Sequence, residues 1–157
     1  MKKIFKLISS IFICQMAGVV GSFFTAPAIS QWYSSLERPV FAPPNWLFAP
    51  VWISLFTLMG ISFYLIWEKG LKERKVKIAM GIFFVQLFLN ALWSFLFFGL
   101  RSPFYGMIEI IILWFFILFT IIIFYMVSRK AAFLLLPYII WVTIASFLNY
   151  SIWQLNL

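Results

Sequence analysis

The 157 residues contain no histidine and a single cysteine, Cys14, and only 10% of them carry charge. Each shortage closes off a class of chemistry. Without histidine the chain has no Ser-His or Cys-His nucleophile and no His/Cys metal cluster. One cysteine excludes an internal disulfide framework. The acids number four against twelve Lys and Arg, and they form no close pair suited to general acid/base work. A Gly-rich phosphate loop is also missing.

What is present is apolar surface, at 65% of residues with a mean hydropathy of +1.06. Soluble domains carry about 25% charged residues, and a chain this short has too little interior to hide such a surplus. The surplus must face lipid. Five stretches reach the roughly 20 residues needed to cross a bilayer: Ile4–Ala28, Trp46–Trp67, Lys77–Gly99, Phe104–Val127 and Ala131–Trp153. In hydrocarbon each must be a helix that satisfies its own backbone. Pro103 suits the first turn of the fourth span, and Pro137 should kink the fifth. The fold class is therefore an all-α membrane protein, a single five-helix domain over residues 1–157.

The cations are unevenly placed. Lys2, Lys3, Lys6, Lys69, Lys72, Arg74, Lys75, Lys77, Arg129 and Lys130 fall on one side, leaving Arg38 and Arg101 on the other. These short clusters between spans are topology signals, not a phosphate-binding groove, so no nucleic-acid partner is expected. They predict a multi-pass membrane protein with its N-terminus in the cytoplasm and its C-terminus outside. A rival reading makes the first span a cleaved signal peptide ending near Ala26-Pro27-Ala28. The apolar run exceeds an ordinary h-region and a proline interrupts the site, which favours a retained helix.

The connection Ile29–Asn45 is unlike the other three. Five of the seven prolines lie between Pro27 and Pro50, and Pro39, Pro43 and Pro44 lower the entropy cost of ordering the segment. Trp32, Tyr33, Phe41 and Trp46 add large faces ill suited to water. The combination predicts a lid folded back on the bundle, against the alternative of an interfacial aromatic belt. Tryptophan is concentrated towards that end, as a pocket beneath the loop would require. Polar residues also align within spans: Gln15, Gly18, Ser22 and Thr25; Ser54, Thr57 and Tyr64; Gln86, Asn90 and Trp93; Thr143, Ser146 and Tyr150, with Ala145 and Asn149 beside them. Helix packing or a lined cavity would equally satisfy Gln86 and Asn90. Packing is the reading for Gly18, Gly21, Ser22 and Gly60, and Ala79 is compatible with a helix–helix interface. Glu109, the one acid inside a span, must snorkel, pair with Arg101 or line a cavity. A cholesterol-type pattern, Leu58–Tyr64–Lys69, is of a kind that arises often by chance.

The order of these blocks carries a resemblance. Trp32-Tyr33, Leu36-Glu37-Arg38-Pro39, Pro43-Pro44-Asn45-Trp46, Pro50-Val51-Trp52, Met59-Gly60, Asn90–Ser94, Pro137–Trp141 and Ala145–Tyr150 resemble, in sequence and over essentially the whole chain, the TspO/MBR family. That family comprises the tryptophan-rich sensory proteins and the mitochondrial translocator protein, also called the peripheral benzodiazepine receptor. The resemblance implies a five-helix bundle, commonly a homodimer, that takes tetrapyrroles such as protoporphyrin IX and hydrophobic synthetic ligands beneath the first loop. By motif position, ligand-binding roles fall to Tyr33, Trp52, Asn90, Trp141 and Ala145, and lid roles to Trp32, Arg38, Pro43, Pro44 and Trp46. The fifth span lacks a basic residue after Tyr150, so the mammalian cholesterol-recognition pattern is incomplete.

Three functions are then in view. A membrane receptor or sensor for protoporphyrin IX, or for haem held by its faces without a histidine ligand, leads. Light-dependent porphyrin degradation would make Trp52 and Trp141 the reactive pair, with no firmer catalytic candidate. A tetrapyrrole transporter is weakened by an odd helix count, which does not divide into two inverted halves. No required cofactor and no resident metal are expected.

Overall fold

A computed structural model describes residues 1–157. The chain is helical almost throughout: α1 (Lys2–Gln31), α2 (Asn45–Trp67), α3 (Arg74–Ser94), α4 (Pro103–Val127), α5 (Arg129–Leu134) and α6 (Leu136–Leu155). Five spans are long and apolar enough to cross a membrane, α5 and α6 together forming the fifth. Large side chains such as Phe12, Phe23, Phe88, Phe119 and Phe147 are exposed around the bundle, the surface of a protein solvated by lipid.

Local chemistry sets the element boundaries. Pro137 has no N–H, and its ring would meet the carbonyl of Phe133, so the ladder opens. The result is a break at Leu135, with Pro137 in the first turn of α6, where the kink was expected. α1 runs past its expected end, carrying Pro27 inside it. The third span starts at Arg74, not Lys77, and its last five residues, Phe95–Gly99, form a π-helix that reads as plain helix in the sequence. Gly70, at φ +89°, turns the chain between α2 and α3, and Arg101 adopts φ +52° before α4. The Ser102 hydroxyl accepts from the Tyr105 N–H at 3.2 Å and so caps α4.

The spans form a ring in which α1 lies between α2 and α3, α3 packs on α4, and α5–α6 closes the circuit between α4 and α2. Close approaches hold it. A Cβ on Gly60 would lie 2.5 Å from the Cα of Ile11, and one on Gly18 would lie 2.7 Å from the Phe56 ring. The Ser62 hydroxyl donates to the Ala131 carbonyl at 2.7 Å, tying α2 to α5. Phe63, Phe83 and Phe124 fill the centre of the cation-rich half, with ring separations of 4.8 and 5.7 Å. At that end Lys6 pairs with Glu68 at 3.2 Å and lies 5.5 Å from the Trp67 ring. The ten clustered cations therefore share one end of the bundle, and the Pro-rich loop lies at the other. Ala79 is fully buried in its own bundle, which rules it out as a contact between copies.

Candidate functional site

The loop-side half is less filled. Between α1, α2, the end of α3 and α6 lies a cavity of about 440 Å³, within the 300–1,000 Å³ range of small-molecule sites. Aromatic side chains make its walls: Phe48, Trp52 and Phe56 from α2, Trp93 from α3, Phe97 and Phe98 from the π-helix, and Trp141 from α6. Gln15, Gly18, Ser22 and Thr25 of α1 all lie on it, as do Asn90, Ala145 and Asn149. No Asp, Glu, Lys or Arg lines it. All five residues assigned to ligand binding by motif position (Tyr33, Trp52, Asn90, Trp141 and Ala145) are brought to this one cavity.

Hydrogen bonds fix the walls. Asn90 donates to the Tyr138 hydroxyl at 2.8 Å, which donates to Gln86 Oε1 at 2.8 Å. Gln86 is thus a core residue that orients Tyr138, and Asn90 alone of the two amides reaches the cavity. Trp93 Nε1 donates to Asn149 Oδ1 at 3.1 Å, and Asn149 Nδ2 to the Pro103 carbonyl at 2.7 Å. Gln15 Nε2 donates to the Ile53 carbonyl and to Thr57 Oγ1, each at 3.0 Å. Two wall residues keep unused capacity: Trp141 Nε1 and the Tyr33 hydroxyl are buried and have no partner within the protein. Such orphaned atoms are uncommon in native interiors and call for a reason.

The loop lies across the bundle, as expected of a lid. The Glu37 N–H donates to Asn156 Oδ1 at 3.0 Å, and Asn156 Nδ2 donates to the Glu37 carbonyl at 2.9 Å. One side-chain amide thus holds both backbone groups of a loop residue. Tyr33 packs with Phe97, Leu148 and Ile152, against which Trp32, Leu36 and Ala42 also rest. Arg38 donates to Asn45 Oδ1 at 3.1 Å and sits 5.3 Å above the Tyr33 ring. Burial raises the Tyr33 phenol above its ordinary pKa, and the charge of Arg38 opposes that rise. Tyr33 thus remains a neutral hydroxyl at physiological pH.

The residues assigned to the loop, Trp32, Arg38, Pro43, Pro44 and Trp46, lie outside the cavity lining; Trp46 opens α2 and is 72% exposed, and Phe41 and Val40 are exposed too. Trp46 and Trp153 have the placement of an interfacial belt, so the tryptophan asymmetry has two sources. Glu109 is buried without a hydrogen-bond partner, and Arg101 bonds Gln31 at 3.0 Å instead. The polar face of the fifth span divides: Ala145 and Asn149 turn to the cavity, whereas Thr143, Ser146 and Tyr150 line a second groove with Trp114. Phe48, Phe56, Phe97 and Ile152 were not singled out as wall residues. The spacing of Phe48, Trp52 and Phe56 by four was the available signal for two of them.

Comparison with known proteins agrees with this architecture. The profile described as TspO/MBR family matches residues 10–154. The chain is 47% identical over 154 residues to the Tryptophan-rich protein TspO of Archaeoglobus fulgidus, covering 98% of each chain. It is 35% identical over 142 residues to the Translocator protein of Bos taurus, covering 90% of this chain and 84% of that one. Against the Tryptophan-rich sensory protein of Cereibacter sphaeroides the identity is 31% over 127 residues, 80% and 77% of the two chains.

Proposed function

The chain belongs to the TspO/MBR family, and from that premise we propose that it is a membrane receptor for tetrapyrroles, protoporphyrin IX above all, and for hydrophobic drug-like molecules. The observation that carries this reading is a charge-free cavity walled by Trp52, Trp93 and Trp141. A porphyrin is a broad π-surface, and indole and phenyl faces stack on such surfaces favourably. Ala145 leaves room for a flat ligand. The unpartnered Trp141 Nε1 and Tyr33 hydroxyl offer donors to acceptor atoms of a ligand. Carboxylates on its edge need a cation, and Arg38, bonded to the wall residue Asn45, stands next to the cavity. Haem would be held by its faces, because the chain supplies no histidine.

By the positive-inside rule the cation-rich end faces the cytoplasm and the cavity opens in the outer half of the membrane. The test of binding is a protoporphyrin IX titration of the purified protein in the dark, followed by quenching of tryptophan fluorescence. Saturable quenching that weakens at least tenfold in both Trp52→Ala and Trp141→Ala is the expected result. Linear quenching, equal in all three proteins, would mean partitioning into the detergent and would remove the receptor reading. A second reading, light-dependent porphyrin degradation, is favoured by one fact: Trp52 and Trp141 share the same cavity. It predicts a new absorbing product under illumination that disappears in Trp52→Phe or Trp141→Phe.

A further inference from the structure

We infer that ligands reach the cavity sideways, out of the loop-side half of the bilayer, through a gap between α1 and α2. This rests on the cavity being the ligand site proposed above. From the cation-rich end to mid-span the two helices are in close contact: Gly60 lies against Ile11, Gln15 bonds Ile53 and Thr57, and Gly18, three residues nearer the loop, rests on the Phe56 ring. Nearer the loop, α1 leans on the third span instead. A Cβ on Gly21 would lie 2.9 Å from Ser94 Oγ, one on Gly99 would lie 3.2 Å from the Phe24 ring, and Arg101 bonds Gln31.

The two helices therefore part above Gly18. Val19, Ser22 and Ala26 of α1 and Ala49 and Ile53 of α2 line the cavity yet are also exposed on the outside of the bundle. Val19 is 43% exposed and Ile53 58%, which places an apolar rim against hydrocarbon. Ser22, Ala26 and Ala49 are small, so little stands in the gap. The hydroxyls beside it are already used: Ser22 Oγ donates to the Val19 carbonyl at 2.6 Å and Thr25 Oγ1 to the Gly21 carbonyl at 3.1 Å. A rim without free polar groups asks no desolvation of a lipid-dissolved molecule. The approach from water is the obstructed one, because Asn156 clamps Glu37 and Tyr33 is 4% exposed beneath the loop. The class of ligand follows: flat aromatic molecules that partition into the bilayer, entering by an uncharged edge, with any carboxylates trailing towards the headgroups.

The test uses the full chain in lipid nanodiscs, with stopped-flow protoporphyrin IX quenching in the dark. Ala26→Phe and Ala49→Phe narrow the gap without adding a fluorophore; Asn156→Ala frees the loop. Passage through the gap predicts that both Phe variants lower the association rate constant by about tenfold and slow dissociation with it. Asn156→Ala leaves both rate constants unchanged. Faster association in Asn156→Ala, with the Phe variants at wild-type rates, would overturn the inference in favour of access past the loop. Loss of affinity at an unchanged association rate would overturn it too, since the rim would then be wall and not passage. A measurement without ligand separates this inference from the function: a nitroxide at Ala49→Cys, in a Cys14→Ala background, should collide with dissolved oxygen far more than with a water-soluble nickel chelate. The reverse order sinks the lateral route whatever binds. Absence of saturable porphyrin binding in the wild type sinks only the tetrapyrrole reading.

Discussion

Single residues decide how closely the helices approach. At Gly60 the obstacle to a side chain is the Ile11 backbone, 2.5 Å from the would-be Cβ, and backbone cannot rotate out of the way. Gly60→Val should therefore cost about 1–3 kcal/mol, which lowers the melting temperature by roughly 2–4 °C per kcal/mol for a chain of this size. Gly81→Val, with nothing within 4 Å of its Cβ, should leave it nearly unchanged. Thermal unfolding in one detergent, read on both variants, checks the contrast; equal shifts would refute the close-packing account. Much at this scale was legible in the sequence. Gln15, Gly18, Ser22 and Thr25 were placed on one face by their spacing, and they share the cavity. The partition of Gln86 and Asn90 was not legible, because it depends on Tyr138 reaching across from α6. A spacing within one helix says which residues share a face and not what stands opposite.

The elements show where backbone rules succeed and where they fall short. Proline chemistry in the sequence located the break in the fifth span to within two residues, because the missing N–H is a property of the residue itself. The π-helix at Phe95–Gly99 gave no such sign: its extra residue is accommodated by the packing of Trp93, Phe97 and Phe98, with ring separations of 5.1 and 4.8 Å. Such bulges often occur at functional sites, and Phe97 and Phe98 lie on the cavity wall. Proline density foretold an ordered loop but not its fastening, since Asn156 lies 119 positions from Glu37. Removing that amide in Asn156→Ala should raise amide hydrogen exchange across residues 36–44 several-fold, while exchange in α2 and α4 stays as in the wild type. Exchange in the loop that matches the wild type would show that packing under Tyr33 and Leu36 holds it without the clamp.

The whole molecule is polarised along the membrane normal. One end carries ten of the twelve cations and the tightest core, and the other carries the loop and the cavity. Composition and charge alone sufficed for this much, because the scarcity of charge identifies the solvent and its distribution distinguishes the two ends. Which helices are neighbours was not legible, since every span is apolar enough to pack on any other. The orientation proposed above has a direct check. In a Cys14→Ala background, Lys72→Cys should be shielded from a membrane-impermeant maleimide added to intact cells, and Val40→Cys should react. Reaction at Lys72→Cys alone would invert the topology and place the cavity in the inner leaflet.

The clamp on Glu37 has a consequence in time. Chains grow from the N-terminus at about 5–20 residues per second, so Asn156, 119 residues later, emerges on the order of ten seconds after the segment it fastens. Through that interval the loop lacks this fastening and has only the contacts of Arg38 with Asn45 and Tyr33, and later of Trp32 and Tyr33 with Phe97. Trp141 and Ala145 are likewise still to be made, so neither the cover nor the far wall exists until the last span is inserted. A nascent chain arrested after α4 would therefore hold neither the Trp141 and Ala145 wall nor the Asn156 clamp, and the cavity takes its shape only once α6 is in place.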